Sequence, residues 1–533
     1  MRNNDKQQYK ITRRSVIAML GMMAILPACS DFTKLEPLSA LSETAAFTTP
    51  ATIELAANGV YWAASVGQYE GAAGRGYPFG AAAIEQGEMR GEDMLNVQAF
   101  YDITYRALYS PTTANNKNHW EQLYALINQA NILIDGVKTA GTNNIISAEI
   151  AAQYEGEGRF LRALAHHELL IHFCRPFADG NGSQPGIPYR EKPIISTGAV
   201  QEGLAQGRGT VAEAYTKLLA DLDFAEQSLP ATRTANAISR ATKGAAIALK
   251  TRIKLHQQDW KGVIAEGAKL GTDGTAATFS SPIGAYTLEA APETPFVNYK
   301  SNKESIFSIA NSAQSNGGVN GALASMFGPS SLAGRDLVAT SPNFYNATFW
   351  VDGDLRRTRL QTKQASGSYP FAFNYKFREY GVFGDWAPVL RYAEVLLNVA
   401  EASSREGNPT KALALLNAVR NRSVPTAAQF SAAPADLTLA ILQERRIELA
   451  GEGRRWSDIH RLSQDPTYKV SVGIPAKVEV TQVKTTSYDI VTRPVITGSV
   501  AAIPYSDFRF LWPIPFSEIS SNATLSKQQN PGY

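Results

Sequence analysis

Apolar residues recur at three- and four-residue intervals through several long stretches of this chain, and that period commits much of it to helices that bury one face. Over residues 118–137 the apolar positions are Trp120, Leu123, Tyr124, Ile127, Ala130, Leu133 and Ile134, a stripe along one side of a helix. A second helix is expected over residues 147–173, where Ser147 is placed to cap the first turn and Glu149 faces the positive end of the helix dipole. The pattern returns. Residues 210–229 read as a helix ending before Pro230, residues 241–256 as its antiparallel partner, and residues 260–270 as a helix stopped by Gly271. Residues 387–405 and 410–422 form a further pair across Glu406-Gly407-Asn408-Pro409.

The pairs, with small contact residues such as Ala241, Ala245 and Ala248, are similar to tetratricopeptide-like repeats, although no strict period or full consensus is present. The fold class is therefore mostly α: a scaffold of degenerate helix pairs, with an irregular helical bundle as the other arrangement that buries the same stripes. Three segments differ in character, residues 67–111, 271–369 and 464–507, which are rich in Gly, Ser, Asn and aromatic residues. Short strands are expected at residues 304–309 and 488–491. Long loops on a rigid scaffold more often carry binding than stability.

The first residues carry a different signal. Lys6, Lys10, Arg13 and Arg14 precede an apolar run from Val16 to Leu26, and Leu26-Pro27-Ala28-Cys29 closes it. A basic n-region, a short apolar core and a small residue before the cut make a secretory signal, too short to span a bilayer. Cys29 directly after the cut is similar to the lipobox of bacterial lipoproteins and implies a mature chain beginning at an acylated cysteine. Removing residues 1–28 takes away five basic residues and one acidic one, so the formal charge falls from +3 to −1. That balance has no footprint for nucleic acid. Only two cysteines occur, so with Cys29 acylated no disulfide holds the fold, and Cys174 in an apolar run reads as a buried thiol.

A search for catalytic constellations finds little. His166, His167 and His172 lie at spacings of five and six, which do not aim two imidazoles from one helix at a single ion as HExxH does. No Gly-x-Ser-x-Gly elbow, phosphate loop or CxxC pair is present. No metal and no cofactor is assigned.

Several phrases, spread over almost the whole mature chain, resemble the SusD/RagB family of surface nutrient-binding lipoproteins. They are Cys29-Ser30-Asp31-Phe32 through Pro37, Gly156-Glu157-Gly158-Arg159-Phe160-Leu161-Arg162-Ala163, and Lys243-Gly244-Ala245-Ala246 through Asp259-Trp260. The last third adds Leu390-Arg391-Tyr392-Ala393-Glu394, Glu444-Arg445-Arg446-Ile447-Glu448, Glu452-Gly453-Arg454-Arg455-Trp456 and the closing Asn530-Pro531-Gly532-Tyr533. The charged phrases read as architecture, since Glu444 and Glu448 share a helix face and Arg454 and Arg455 can reach carboxylates such as Glu444 or stack on Trp456.

The resemblance implies a signal peptide (1–28), a tether (29–45), an N-terminal helical region (46–270) and a C-terminal region (271–533) in one body. It also implies a protein of the outer membrane, lipid-anchored and facing the cell exterior. Such a protein binds a glycan and passes it to a SusC-like TonB-dependent transporter as a lid, without catalysis. A peptide ligand, a surface glycosidase and an adhesin are the competing readings. Aromatic platforms with amide and guanidinium donors suit sugar rings, and the loops offer two groups of candidates. Tyr69, Arg75, Tyr77, Asp93, Asn96, Tyr101 and Tyr105 form one, and Asn311, Gln314, Asn316, Asn320 and Phe327 form the other. Trp120, Trp260, Trp350, Trp456 and Trp512 are assigned to packing.

Overall fold

Several helices begin where a side chain caps them. A computed structural model describes residues 45–67, 75–366, 369–469 and 473–533; the leader, Cys29, the tether and Tyr69 lie outside the described residues. Helix α1 (Pro50–Val66) starts with Thr49, whose hydroxyl accepts the Thr52 N–H, and with Pro50 at the first helical position. Next come α2 (Ala81–Arg90), α3 (Ala114–Thr142) and α4 (Ala148–Phe173), the last capped by Ser147 as expected. Helix α5 (Val211–Ser228) has a capping box of Thr210 and Glu213, α6 (Lys243–Gln257) is capped by Thr242, and α7 (Trp260–Lys269) by Asp259. The second half adds α8 (Tyr392–Arg405), α9 (Pro409–Arg420), α10 (Leu437–Glu448) and α11 (Arg454–Leu462).

The long helices pack in file, α3 on α4, α4 on α5, α5 on α6, α6 on α7, α7 on α8 and α8 on α9. Contacts of Gly141 with Ala151 and of Gly158 with Ile134 show that α3 and α4 run antiparallel. At Gly158 the approach is so close that a Cβ would meet Ile134 Cγ1 at 2.8 Å. One apolar cluster runs from Ile53 through this file to Ile514. Strands are few and short, in two-stranded antiparallel ribbons: β1 (Met94–Asn96) with β3 (Val338–Thr340), β2 (Ser305–Ile309) with β6 (Ala387–Arg391), β4 (Gln361–Ser366) with β5 (Tyr369–Asn374), and β7 (Gly473–Ile474) with β8 (Ile503–Pro504).

The structure corrects three expectations. Residues 387–405 are not one helix, because Pro388 disfavours the helical conformation at Ala387 and β2 supplies strand partners, so β6 precedes α8. Residues 488–491 form a turn rather than a strand, since the Asp489 carboxylate accepts the Val491 N–H and the Thr492 hydroxyl. Helix α2 lies inside a stretch read as loop. Its period was hidden because it buries Glu85, Gln86, Glu88 and Arg90 among its apolar residues.

The family-like charged phrases meet in a buried seam. Arg391 pairs with Glu304 at 2.5 Å, Glu448 at 2.9 Å and Glu452 at 2.7 Å. Arg356 pairs with Asp354, Glu444 and Glu448, and Arg422 with Glu304 and Glu448. Glu444 thus reaches Arg356 and Arg420 instead of Arg454 or Arg455, which turn to Glu168 and Glu92. The cation on Trp456 is Arg90, 3.4 Å from the ring centre. Burial would raise Glu394, yet Arg252 and Arg445 outweigh it and hold that carboxyl at about 2.

All six histidines are buried. His166 bonds through Nδ1 to the Arg162 carbonyl and through Nε2 to the Arg190 N–H, and His172 stacks on Trp512 at 4.5 Å. Cys174 is buried under Arg208, as read from its apolar run.

Candidate functional site

The C-terminal half of α1 turns its core stripe, Ile53, Ala57, Val60 and Ala64, inward. Asn58, Tyr61, Trp62 and Ser65 consequently line an open cleft of about 420 Å³. The end of β2 and the loop after it give a second wall, Ile309 to Ser312 and Ser315, while Asn236, Ser239 and Arg240 close a third side. Trp386, immediately before β6, and Lys300 complete the lining.

Two indoles dominate this cleft. Trp62 is 45% exposed, unusual for so large an apolar ring. Trp386 is half-buried, held by its Nε1–H on the Asn311 carbonyl at 3.0 Å and by Tyr299 at 5.9 Å between ring centres. The floor is built from spent polar groups. Asn311 donates through Nδ2 to the Asp385 carbonyl at 2.9 Å and accepts the Ser65 hydroxyl at 2.8 Å. The Tyr61 hydroxyl donates to Glu157 at 2.6 Å and accepts the Ala241 N–H. Arg240 is 5% exposed and engages Glu157, Glu54 and the Asn58 carbonyl oxygen. Burial pushes the Asp385 carboxyl up to about 6, against the Glu379 and Arg378 N–H groups that it accepts.

The two loop regions singled out in the sequence do meet, at a glycine contact. Gly76, at φ +80°, lies so near Gly321 that a Cβ on Gly321 would stand 2.4 Å from the Gly76 nitrogen, and the Ala81 N–H bonds the Gly321 carbonyl. Asn311 lines the cleft. Asn316 shapes its loop by bonding the Ser312 carbonyl and the Gly318 N–H, and Gln314 is exposed beside it. Asn320 accepts Arg335, and Arg75 is exposed beside the Gly76–Gly321 contact.

The remaining candidates are corrected by their burial. Tyr77, Tyr101, Tyr105 and Phe327 lie in the core and present no ring face to a ligand. Tyr105 donates its hydroxyl to the Val478 carbonyl, Tyr77 packs edge-on to His119, and Phe327 packs on Phe377. Asp93 is the partner of Arg446, and Asn96 belongs to β1. The physical reason is area: aromatic rings are the largest apolar payload a short helix or ribbon can bury. Trp62, Trp386 and Tyr299 were missed. For Trp62 the signal was present in the period, since it falls off the Ile53–Ala57–Val60–Ala64 stripe.

Residues 376–533 match the family model described as the SusD family, and residues 66–255 match one described as starch-binding associating with the outer membrane. The chain belongs to the SusD/RagB family. It is 24% identical over 505 residues to SusD-like protein P25 of Formosa agariphila, covering 84% of this chain and 89% of that protein. Among solved structures, a SusD superfamily protein from Bacteroides fragilis superposes with a TM-score of 0.73 at 24% identity, covering 90% of this chain and 99% of that one. Surface glycan-binding protein A from Bacteroides uniformis gives 0.66 at 18% identity, with coverage of 90% and 99%. These likenesses show that the SusD/RagB fold accounts for the helical file and its few short ribbons.

Proposed function

We propose that this SusD/RagB protein binds a glycan in the Trp62–Trp386 cleft and delivers it to a SusC-like TonB-dependent transporter, acting as the lid of that transporter. The observation that carries the reading is a pair of accessible indoles in one cleft, with amide and hydroxyl groups around them. A sugar ring has an apolar face that stacks on an indole and a rim of hydroxyls that bonds amides and serines. The glycan-binding relative and the starch-binding description of the matched model support the same ligand class. No bond is made or broken in this scheme. Acylated Cys29 holds the protein to the outer membrane, facing outward, and the short tether keeps it close to its transporter at high effective concentration.

Calorimetric titration of the mature protein against a panel of oligosaccharides tests the reading. Trp62→Ala and Trp386→Ala should each weaken binding by about 1–3 kcal/mol, as loss of a stacked ring does elsewhere, with Trp62→Ala leaving the melting temperature in place. Retention of peptides with no glycan response would move the protein to the peptide reading, and turnover of a bound oligosaccharide would make it a glycosidase.

A further inference from the structure

The hydrogen-bonding inventory of the cleft is lopsided. Among the described residues, no aspartate or glutamate lines it. Several of the side-chain oxygens that would accept from sugar hydroxyls are engaged inside the protein. Asn58 Oδ1 takes Arg240 at 2.9 Å, Asn311 Oδ1 takes Ser65, and the Ser312 hydroxyl accepts the Ser315 N–H at 3.1 Å. The exposed Asn236 amide and the Ser239 and Ser315 hydroxyls remain able to serve either way.

Donors are left over. The Asn58 amide has its N–H₂ unused among the described residues, and Lys300 is exposed, packs its ammonium over the Tyr299 ring at 5.4 Å, and has no carboxylate partner among them. The other cation of the lining, Arg240, is consumed by Glu157 and Glu54. Two further acids lie outside the lining. Asp385 is tied to backbone N–H groups, and Glu379 stands near Tyr299.

A neutral sugar hydroxyl both donates and accepts, so a site for neutral glycans gains from carboxylates that take its protons. A lining that has no carboxylate and keeps an unpaired ammonium favours an acceptor-only, negatively charged substituent, because charge-assisted hydrogen bonds are the strong ones. We infer that the glycan captured in this cleft is acidic, carrying a sulfate ester or a uronate carboxylate that Lys300 binds while Trp62 and Trp386 hold the rings. This inference rests on the glycan reading above and narrows it.

The test measures affinity of the mature protein for a sulfated galactan, a polygalacturonate, the desulfated and carboxyl-reduced forms of each, and a neutral β-glucan. The wild type should prefer one acidic polymer and lose that preference when its charge is removed chemically; which polymer it is separates sulfate from carboxylate. Lys300→Gln should weaken acidic binding about tenfold and remove the preference over neutral glycans, Lys300→Arg should restore it, and raising salt from about 50 to about 500 mM should weaken acidic binding. Equal affinity for charged and neutral forms, or binding of the β-glucan alone, with Trp62→Ala still damaging, overturns the acidic preference and leaves the glycan site standing. No retention of any polymer, or binding indifferent to Trp62→Ala, removes both.

Discussion

The Arg/Glu seam and the Trp62–Trp386 cleft are made from similar polar residues put to opposite ends. In the seam, Arg356, Arg391 and Arg422 each meet at least two carboxylates, and these partners are almost wholly buried. Mutual attraction there mainly offsets the cost of taking charges out of water, so the seam specifies how β6, α9 and α10 fit together more than it adds net stability. In the cleft the same spending has occurred one layer down, at Arg240 and Asn311, and what remains on top is Lys300, the Asn58 N–H₂, the Asn236 amide, serine hydroxyls and two indole faces. Groups available to a ligand are those the fold has not already used. The phrases that mark the family are therefore the least available of all.

The largest expected break in this contrast is Arg391→Ala. Leaving Glu304, Glu448 and Glu452 buried around a missing cation should cost about 3–5 kcal/mol, read from urea unfolding. Trp62→Ala, at an exposed position, should stay within about 0.5 kcal/mol. An Arg391→Ala protein with a wild-type midpoint would erase the distinction.

A smaller effect comes with acid. Burial raises Glu92, but Arg446 and Arg455 bring it down to about 2, where Glu394 also sits, and Arg422 and Arg391 hold Glu448 well below the usual carboxylate range. These folded pKa values lie below the unfolded one, so the stability they contribute is complete above about pH 4.5 and is lost as pH falls through about 2. Unfolding midpoints that stay level from pH 5 to 2 would contradict it.

Glu85 has the opposite sign. Burial pushes it up to about 8, so its contribution is complete below about pH 4 and is lost as pH rises through about 8, with a slope on the order of 1 kcal/mol per pH unit. Glu85→Gln should flatten that decline, and an unchanged alkaline limb would show the carboxyl to be ionised in the fold. Least of all should happen with Tyr101→Phe, which removes a buried hydroxyl beside Glu85. Ligand affinity should not move and stability should change by about 1 kcal/mol or less; a loss of binding would return Tyr101 to the site.

The helical file was legible because its determinants are local. Ser147, Thr210 and Pro230 sit within a few residues of the ends they define, and stripes such as Trp120 to Ile134 need only the period of the helix. Helix α2 and β6 were not, because their residues are explained by distant neighbours. Arg90 is stabilised by Trp456, and β6 exists because β2 lies beside it. The cleft was harder still. Whether Asn311 is free or spent depends on Ser65, a residue 246 positions away, and whether Tyr101 is platform or core depends on what lies over it. One loop candidate, Asn311, lines the cleft, while the indoles that dominate it fell outside the chosen loops.

Residues 528–530 carry a consequence for the order in which the molecule is made. Arg208 gives its guanidinium to the Gln528 carbonyl and to Asn530 Oδ1, and Asn530 returns its amide to the Phe173 and Trp512 carbonyls, across separations of up to 357 residues. A chain emerging from its N-terminus must hold Arg208 and the end of α4 incompletely matched until Asn530 arrives. Contacts so distant in sequence form late. Until then the end of α4 and the loop that carries Arg208 lack that partner, and this part of the molecule closes only when its last residues are in place.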